Sequence, residues 1–93
     1  MALICKRCLI DGKVQGVFYR ASAYEKGQLV GVKGWVRNLS DGRVEALIQG
    51  DEGQVEEMLD WFWQGPSNSR VSSVQCYDEQ PITTDTFSVT RQD

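Results

Sequence analysis

Two stretches of this 93-residue chain carry apolar residues at helical spacing, and each lies between stretches that read as extended. Tyr19, Ala23, Gly27 and Val30 fall at i, i+4, i+8 and i+11, with Gly31 placed to stop a helix. Val55, Met58, Leu59 and Phe62 fall at i, i+3, i+4 and i+7. Asp51 can cap this second helix with Gln54 three positions on, and Gly65-Pro66 ends it. Residues 3–10, LICKRCLI, predict a first strand that stops at Asp11-Gly12. Extended runs surround Ser40-Asp41-Gly42, and Val44, Ala46 and Ile48 alternate with Arg43, Glu45, Leu47 and Gln49, which predicts a hairpin. SRVSSVQCYDE and TFSVTR are two further short extended runs, with residues 78–85 as a loop.

A β-α-β-β-α-β order packs as one antiparallel sheet with both helices on one face, the ferredoxin-like sandwich of the α/β (α+β) class. A chain of 93 residues has room for one two-layer core, so residues 1–93 are read as a single domain. There is no linker, no low-complexity tract and no repeat beyond the loose βαβ duplication. Function is therefore expected on a loop of this unit. Gly27 should weaken its helix by about 1 kcal/mol relative to alanine unless close packing needs the missing side chain.

Composition removes several function classes. Thirteen acidic against ten basic residues give a net charge of −3, which argues against a nucleic-acid partner, because phosphate-backbone affinity needs many Lys and Arg contacts at once. No apolar run approaches the roughly 18 to 20 residues of a membrane span. MALICKRCLI has no basic leader and no cleavage pattern and reads as mature structure. Cys5, Cys8 and Cys76 are odd in number, which fits a reducing compartment. The expectation is a cytoplasmic monomer. Cys5 and Cys8 are three apart and point to opposite faces of a strand, and without histidine a tetrahedral zinc site lacks ligands. The thiols are read as core or surface filling. The missing histidine also removes the usual general base and histidine-based triads. No metal and no cofactor are expected.

GKVQGVFYR, residues 12–20, lies between the end of the first strand and the start of the first helix. Gly12 and Gly16 let such a loop turn several backbone N–H groups toward one point. The helix adds its positive end, and Arg20 adds a fixed charge with a fork of donors matched to two phosphate oxygens. Together these can cradle a phosphate. Taken alone, such a loop can equally be a plain turn followed by a solvated arginine.

GKVQGVFYR, followed by GWVRNLSDGRVE from Gly34, closely resembles the acylphosphatase family, whose hallmark is a G-[RK]-V-Q-G-V-x-[FY]-R loop and then a G-[WYF]-V-x-N motif. GDEGQVEEMLDWFWQGP and TFSVTR fit as well, so the similarity covers almost the whole chain. The resemblance implies the same fold and a cofactor-free enzyme that hydrolyses the carboxyl-phosphate bond of a small acyl phosphate. It implies that the backbone of Val14, Gln15, Gly16, Val17, Phe18 and Tyr19, with Arg20, holds the phosphate, and that Asn38 positions the attacking water. Tyr19 stands where phenylalanine is common in the family, and position 18 varies between glycine and aromatics.

The chemistry suits this sparse equipment. An acyl phosphate leaves as a carboxylate with a pKa of about 4, so no general acid is needed. Gathering charge on the phosphoryl oxygens and holding water in line remain to be done. Asn38 also has an ordinary reading as turn chemistry before Ser40-Asp41-Gly42, and Lys13 and Arg37 as solvated charges. Trp35 is read as core, and Trp61 or Trp63 as partly exposed on an acidic helix. The alternative left open is a non-catalytic ferredoxin-like module that binds phosphorylated metabolites.

Overall fold

A computed structural model describes residues 3–90. The elements in chain order are β1 (Ile4–Lys13), α1 (Tyr19–Val30), β2 (Lys33–Asn38), β3 (Val44–Gly50), α2 (Glu52–Gln64), β4 (Arg70–Asp78) and β5 (Phe87–Val89). They form one sheet in the order β4-β1-β3-β2-β5. β1 lies between the antiparallel strands β3 and β4, and β3 also pairs antiparallel with β2. Each helix thus connects two strands that have one strand between them, the split βαβ arrangement of the ferredoxin-like sandwich.

The sheet departs from the expected fully antiparallel, four-strand form. TFSVTR contains a separate fifth strand, which runs parallel to β2 with Gly34, Trp35 and Val36 opposite Phe87, Ser88 and Val89. β4 runs opposite to β2, so the chain, in crossing from one edge of the sheet to the other, reverses direction between β4 and β5. Residues between these edge strands are tied down on the way: the buried Gln49 amide donates to the Ile82 carbonyl at 2.9 Å and accepts from the Ile82 N–H at 2.7 Å.

β1 also runs past its predicted stop to Lys13. It does so through a bulge between Asp11 and Gly12, after which Gly12 pairs with Val71 and Lys13 with Arg70. Gly12 has a φ of 127°, and a Cβ there would lie 2.1 Å from the Arg70 carbonyl oxygen. The glycine that reads as a strand terminator is what lets the strand continue.

Both helices have the predicted bounds and faces. Asp51 and Gln54 form the reciprocal capping box of α2, and Val55, Met58 and Phe62 are its buried residues. Tyr19, Ala23 and Gly27 are buried on α1. A Cβ on Gly27 would come within 2.5 Å of Cδ2 and Cε2 of Phe87, so close packing does need the missing side chain. The core lies between these helices and the sheet row of Cys8, Ile10, Val36, Val44, Ala46 and Ile48.

The opposite face of the sheet carries a charged cover in place of helices. Arg7 and Arg37 both reach the buried Glu45, at 3.3 and 2.6 Å. Trp35 belongs to this face and is half-buried, with the Arg37 guanidinium 5.0 Å from its ring centroid, so it is not the core residue expected. Trp63 is exposed and Trp61 half-buried against Tyr19, with ring centroids 5.3 Å apart, as expected of them.

Candidate active site

Residues 14–18 leave β1 and enter α1 as an irregular loop. Buried side chains of Val14, Val17 and Tyr19 anchor it from below. Between these anchors Gly16 adopts a φ of 75°, and a Cβ there would meet nothing within 4 Å, so glycine is required by the backbone conformation and not by lack of room. Phe18, at φ 64° and ψ 23°, is the one non-glycine residue with positive φ among the described residues. A bulky side chain in this region costs on the order of 1–3 kcal/mol. Its ring is 79% exposed, so burial does not offset that cost. The anchored neighbours must hold the strain.

The consequence is a run of unclaimed donors. Among the described residues, no main-chain N–H from Gln15 to Ala21 donates to a carbonyl or a side chain. α1 has no capping side chain at Phe18 and no acidic residue in its first turn. Its N-terminal N–H groups and the positive end of its dipole are therefore free to meet an anion.

Val14, Gly16, Phe18, Tyr19, Arg20, Ala21 and Asn38 line a hollow of about 280 Å³ at this point. Arg20 is half-buried and donates to the Thr90 carbonyl at 3.3 Å, a contact that steadies the guanidinium without neutralising it. No carboxylate among the described residues pairs with it. Asn38 ends β2 opposite the fully buried Val44, and its Oδ1 is buried with no hydrogen-bond partner. Leaving such an acceptor unpaired costs about 1–3 kcal/mol. Native structures seldom tolerate it without a functional reason.

Gln15 has a part that was not legible in the sequence. Its side-chain amide donates to the carbonyls of Leu39 at 2.7 Å and Arg43 at 2.9 Å, straddling the hairpin turn that follows Asn38. It thereby ties the loop to the strand end that carries Asn38. Only the preference of turns for exposed carbonyls could have hinted at this, and nothing in the spacing pairs residue 15 with 39 and 43.

The remaining predicted residues separate. Val17 borders a second, polar hollow of about 500 Å³, lined also by Lys13, Ser67, Asn68, Ser69 and Arg70. This hollow is larger but contains neither Arg20 nor Asn38. Gln15 and Val17 do not line the smaller one, while Val14, Gly16, Phe18, Tyr19, Arg20 and Asn38 meet there. Arg37 is bound to Glu45 on the far face of the sheet and Lys13 is exposed beside the second hollow. Tyr19 is no acid–base candidate: burial, and then the neighbouring Cys8, push its phenol up, and its hydroxyl donates to the Phe62 carbonyl at 2.7 Å. Among the described residues, no group of three or more Cys, Asp or Glu side chains is placed to hold a metal ion.

The family model for acylphosphatase matches residues 6–89. The chain is 58% identical over 71 residues to an acylphosphatase of Nitrosococcus oceani, covering 76% of this chain and 80% of that relative. It is 51% identical over 77 residues to an acylphosphatase of Acaryochloris marina, covering 83% of each. A solved acylphosphatase structure from Coxiella burnetii superposes with a TM-score of 0.91 at 34% identity, over 95% of this chain and 93% of that one.

Proposed function

This chain belongs to the acylphosphatase family and is an acylphosphatase, and from that premise we propose how its residues divide the work. The main-chain N–H groups of residues 14–19 and the Arg20 guanidinium hold the phosphoryl group of an acyl phosphate in the 280 Å³ hollow. Asn38 holds a water in line with the bond that breaks. Water attacks phosphorus, the P–O bond to the acyl group breaks, and the carboxylate leaves with the bonding pair. The water's proton passes to a phosphoryl oxygen, so the products are carboxylate and inorganic phosphate. No general acid is required, because a carboxylate with a pKa of about 4 is a sufficient leaving group. Catalysis is then positioning and charge stabilisation by prearranged donors, which phosphoryl transfer chiefly needs.

The observation that carries this reading is the buried, unpartnered Asn38 Oδ1 lining the same hollow as Arg20 and the unclaimed N–H groups. An acceptor left in that state is suited to a water that arrives with substrate. A cytoplasmic location belongs to the same proposal and is supported by the odd number of cysteines, which cannot all pair within one molecule.

The test uses purified protein and benzoyl phosphate with EDTA present, with Arg20→Ala as the comparison. The wild-type protein should consume the substrate. Arg20→Ala should lose turnover by about 10²–10³-fold and lose inhibition by inorganic phosphate along with it. Phosphate binding by the wild type without hydrolysis would identify a binding module instead, and an Arg20→Ala variant with normal phosphate inhibition would remove Arg20 from the cradle.

A further inference from the structure

Cys8 and Cys76 are direct partners in the antiparallel pairing of β1 with β4, and their Sγ atoms lie 2.7 Å apart. From this geometry we propose that the two form a reversible cross-strand disulfide, a redox site separate from the phosphate hollow, with a small-molecule disulfide as its oxidant. Opposed residues of an antiparallel pair have Cα atoms about 4.5–5.5 Å apart, inside the roughly 4.4–6.8 Å range that a disulfide spans. Bond formation therefore needs only a small approach of the two sulfurs and no change of register. Cys5 cannot substitute: it is opposite Gln49 on the other neighbour of β1, and it lies on the other face of the sheet from Cys8.

The two thiols are unequal in a way that sets the order of events. Cys8 is fully buried in the core, whereas Cys76 is half-buried on β4, an edge strand. The contact between the two thiols, helped by the Lys6 charge and opposed by burial, holds Cys76 below the ordinary thiol range. The same contact, together with burial, pushes Cys8 up. Cys76 is thus the thiol that a disulfide in solution can reach, and its environment favours the thiolate that an attacking sulfur must be.

With oxidised glutathione as the oxidant, the Cys76 thiolate attacks one sulfur, and one glutathione thiolate leaves. A mixed disulfide remains on Cys76. Cys8 then attacks Cys76 Sγ, the second glutathione leaves as a thiolate, and the Cys8 proton goes to it. The protein has lost two electrons and two protons, and one oxidised glutathione has become two reduced molecules.

The folded protein is incubated with oxidised glutathione, quenched in acid, and its intact mass and non-reduced tryptic peptides are measured. Trypsin separates the three cysteines, because cleavage after Lys6 and Arg7 leaves Cys5 in residues 1–6 and Cys8 in residues 8–13, while Cys76 lies in residues 71–91. The proposal predicts a mass lower by two hydrogens, a link between peptides 8–13 and 71–91, and complete reversal by dithiothreitol. Cys5→Ala should behave as the wild type. Cys76→Ser should not react, and Cys8→Ala should stop at a glutathione adduct on residue 76. A link through Cys5, a wild-type protein that ends as an adduct, or no reaction of the wild type would overturn it. Cys76→Ser alters only a half-buried edge position, so it keeps the test decisive should Cys8→Ala fail to fold.

Discussion

Removing Asn38 should harm catalysis without harming the fold, and the two effects can be sized from the structure. The Asn38 Oδ1 is buried without a partner, and its side chain makes no hydrogen bond among the described residues. Asn38→Ala therefore deletes no interaction that supports the native state. It instead relieves an unpaired acceptor worth about 1–3 kcal/mol, against which the loss of a little side-chain packing must be set. The net expectation is a stability unchanged or raised by about 1 kcal/mol, which in a domain of this size is a thermal midpoint unchanged or up by about 4–8 °C. Turnover should fall by about 10²–10³-fold, the loss seen when one prearranged polar group at a reacting centre is removed. That corresponds to roughly 3–4 kcal/mol of transition-state stabilisation. Inorganic phosphate should still inhibit the residual activity with its wild-type constant, because Arg20 and the loop amides are intact. Benzoyl phosphate hydrolysis in EDTA and thermal unfolding followed by circular dichroism give both numbers. A variant that turns over normally but unfolds several degrees earlier would mean that Asn38 serves the hairpin and not the chemistry, and the reasoning would fail.

Gly27→Ala should destabilise, against the usual gain of about 1 kcal/mol for alanine in a helix. The new Cβ would meet the buried Phe87 ring at 2.5 Å, and overpacking of this kind costs about 1–3 kcal/mol; Phe87→Leu in the same chain should recover part of the loss in a double-mutant cycle, and a rise in the thermal midpoint of the single variant would contradict the packing account. Tyr19→Phe leaves the Phe62 carbonyl, in the last turn of α2, without its partner, and chemical denaturation should show a loss of about 1–2 kcal/mol with little change in turnover. Gln15→Ala releases the loop from the Leu39 and Arg43 carbonyls, so kcat should fall by about tenfold or more while the hydrolysis remains metal-independent; an unchanged kcat would show that the tie to the hairpin plays no part in placing the loop.

The parts of this fold that were legible beforehand are those dictated by local rules. The capping box at Asp51 and Gln54, the stripe Val55-Met58-Phe62 and the terminating Gly31 and Gly65 act through neighbours a few residues away, and each stands where its spacing puts it. The illegible parts depend on distant partners. Gly12 reads as a stop, and only the approach of Arg70 across the sheet makes it a bulge that prolongs β1. Trp35 reads as core because of its size, but the parity of its strand puts it on the face covered by Arg37. The parallel direction of β5 is announced by no residue in TFSVTR.

The site divides along the same line. GKVQGVFYR and Asn38 were identifiable through their resemblance to a known motif, and the structure places Arg20 and Asn38 on one hollow. The side-chain bridge of Gln15, the left-handed Phe18 and the meeting of Cys8 with Cys76 are not legible in the sequence, since each is set by register or by backbone angles that the residue type does not announce.

The claim on which the rest depends is that main-chain amides ahead of α1, with Arg20, grip the phosphoryl group. Titration of the ¹⁵N-labelled protein with inorganic phosphate, read as amide and arginine Nε shifts, tests it most directly. Saturable shifts should be concentrated at the amides of residues 14–19 and at the Arg20 Nε, all with one dissociation constant and all lost in Arg20→Ala. Saturable shifts centred instead on Lys13, Ser69 and Arg70 in the second hollow, or none at the loop, would contradict it.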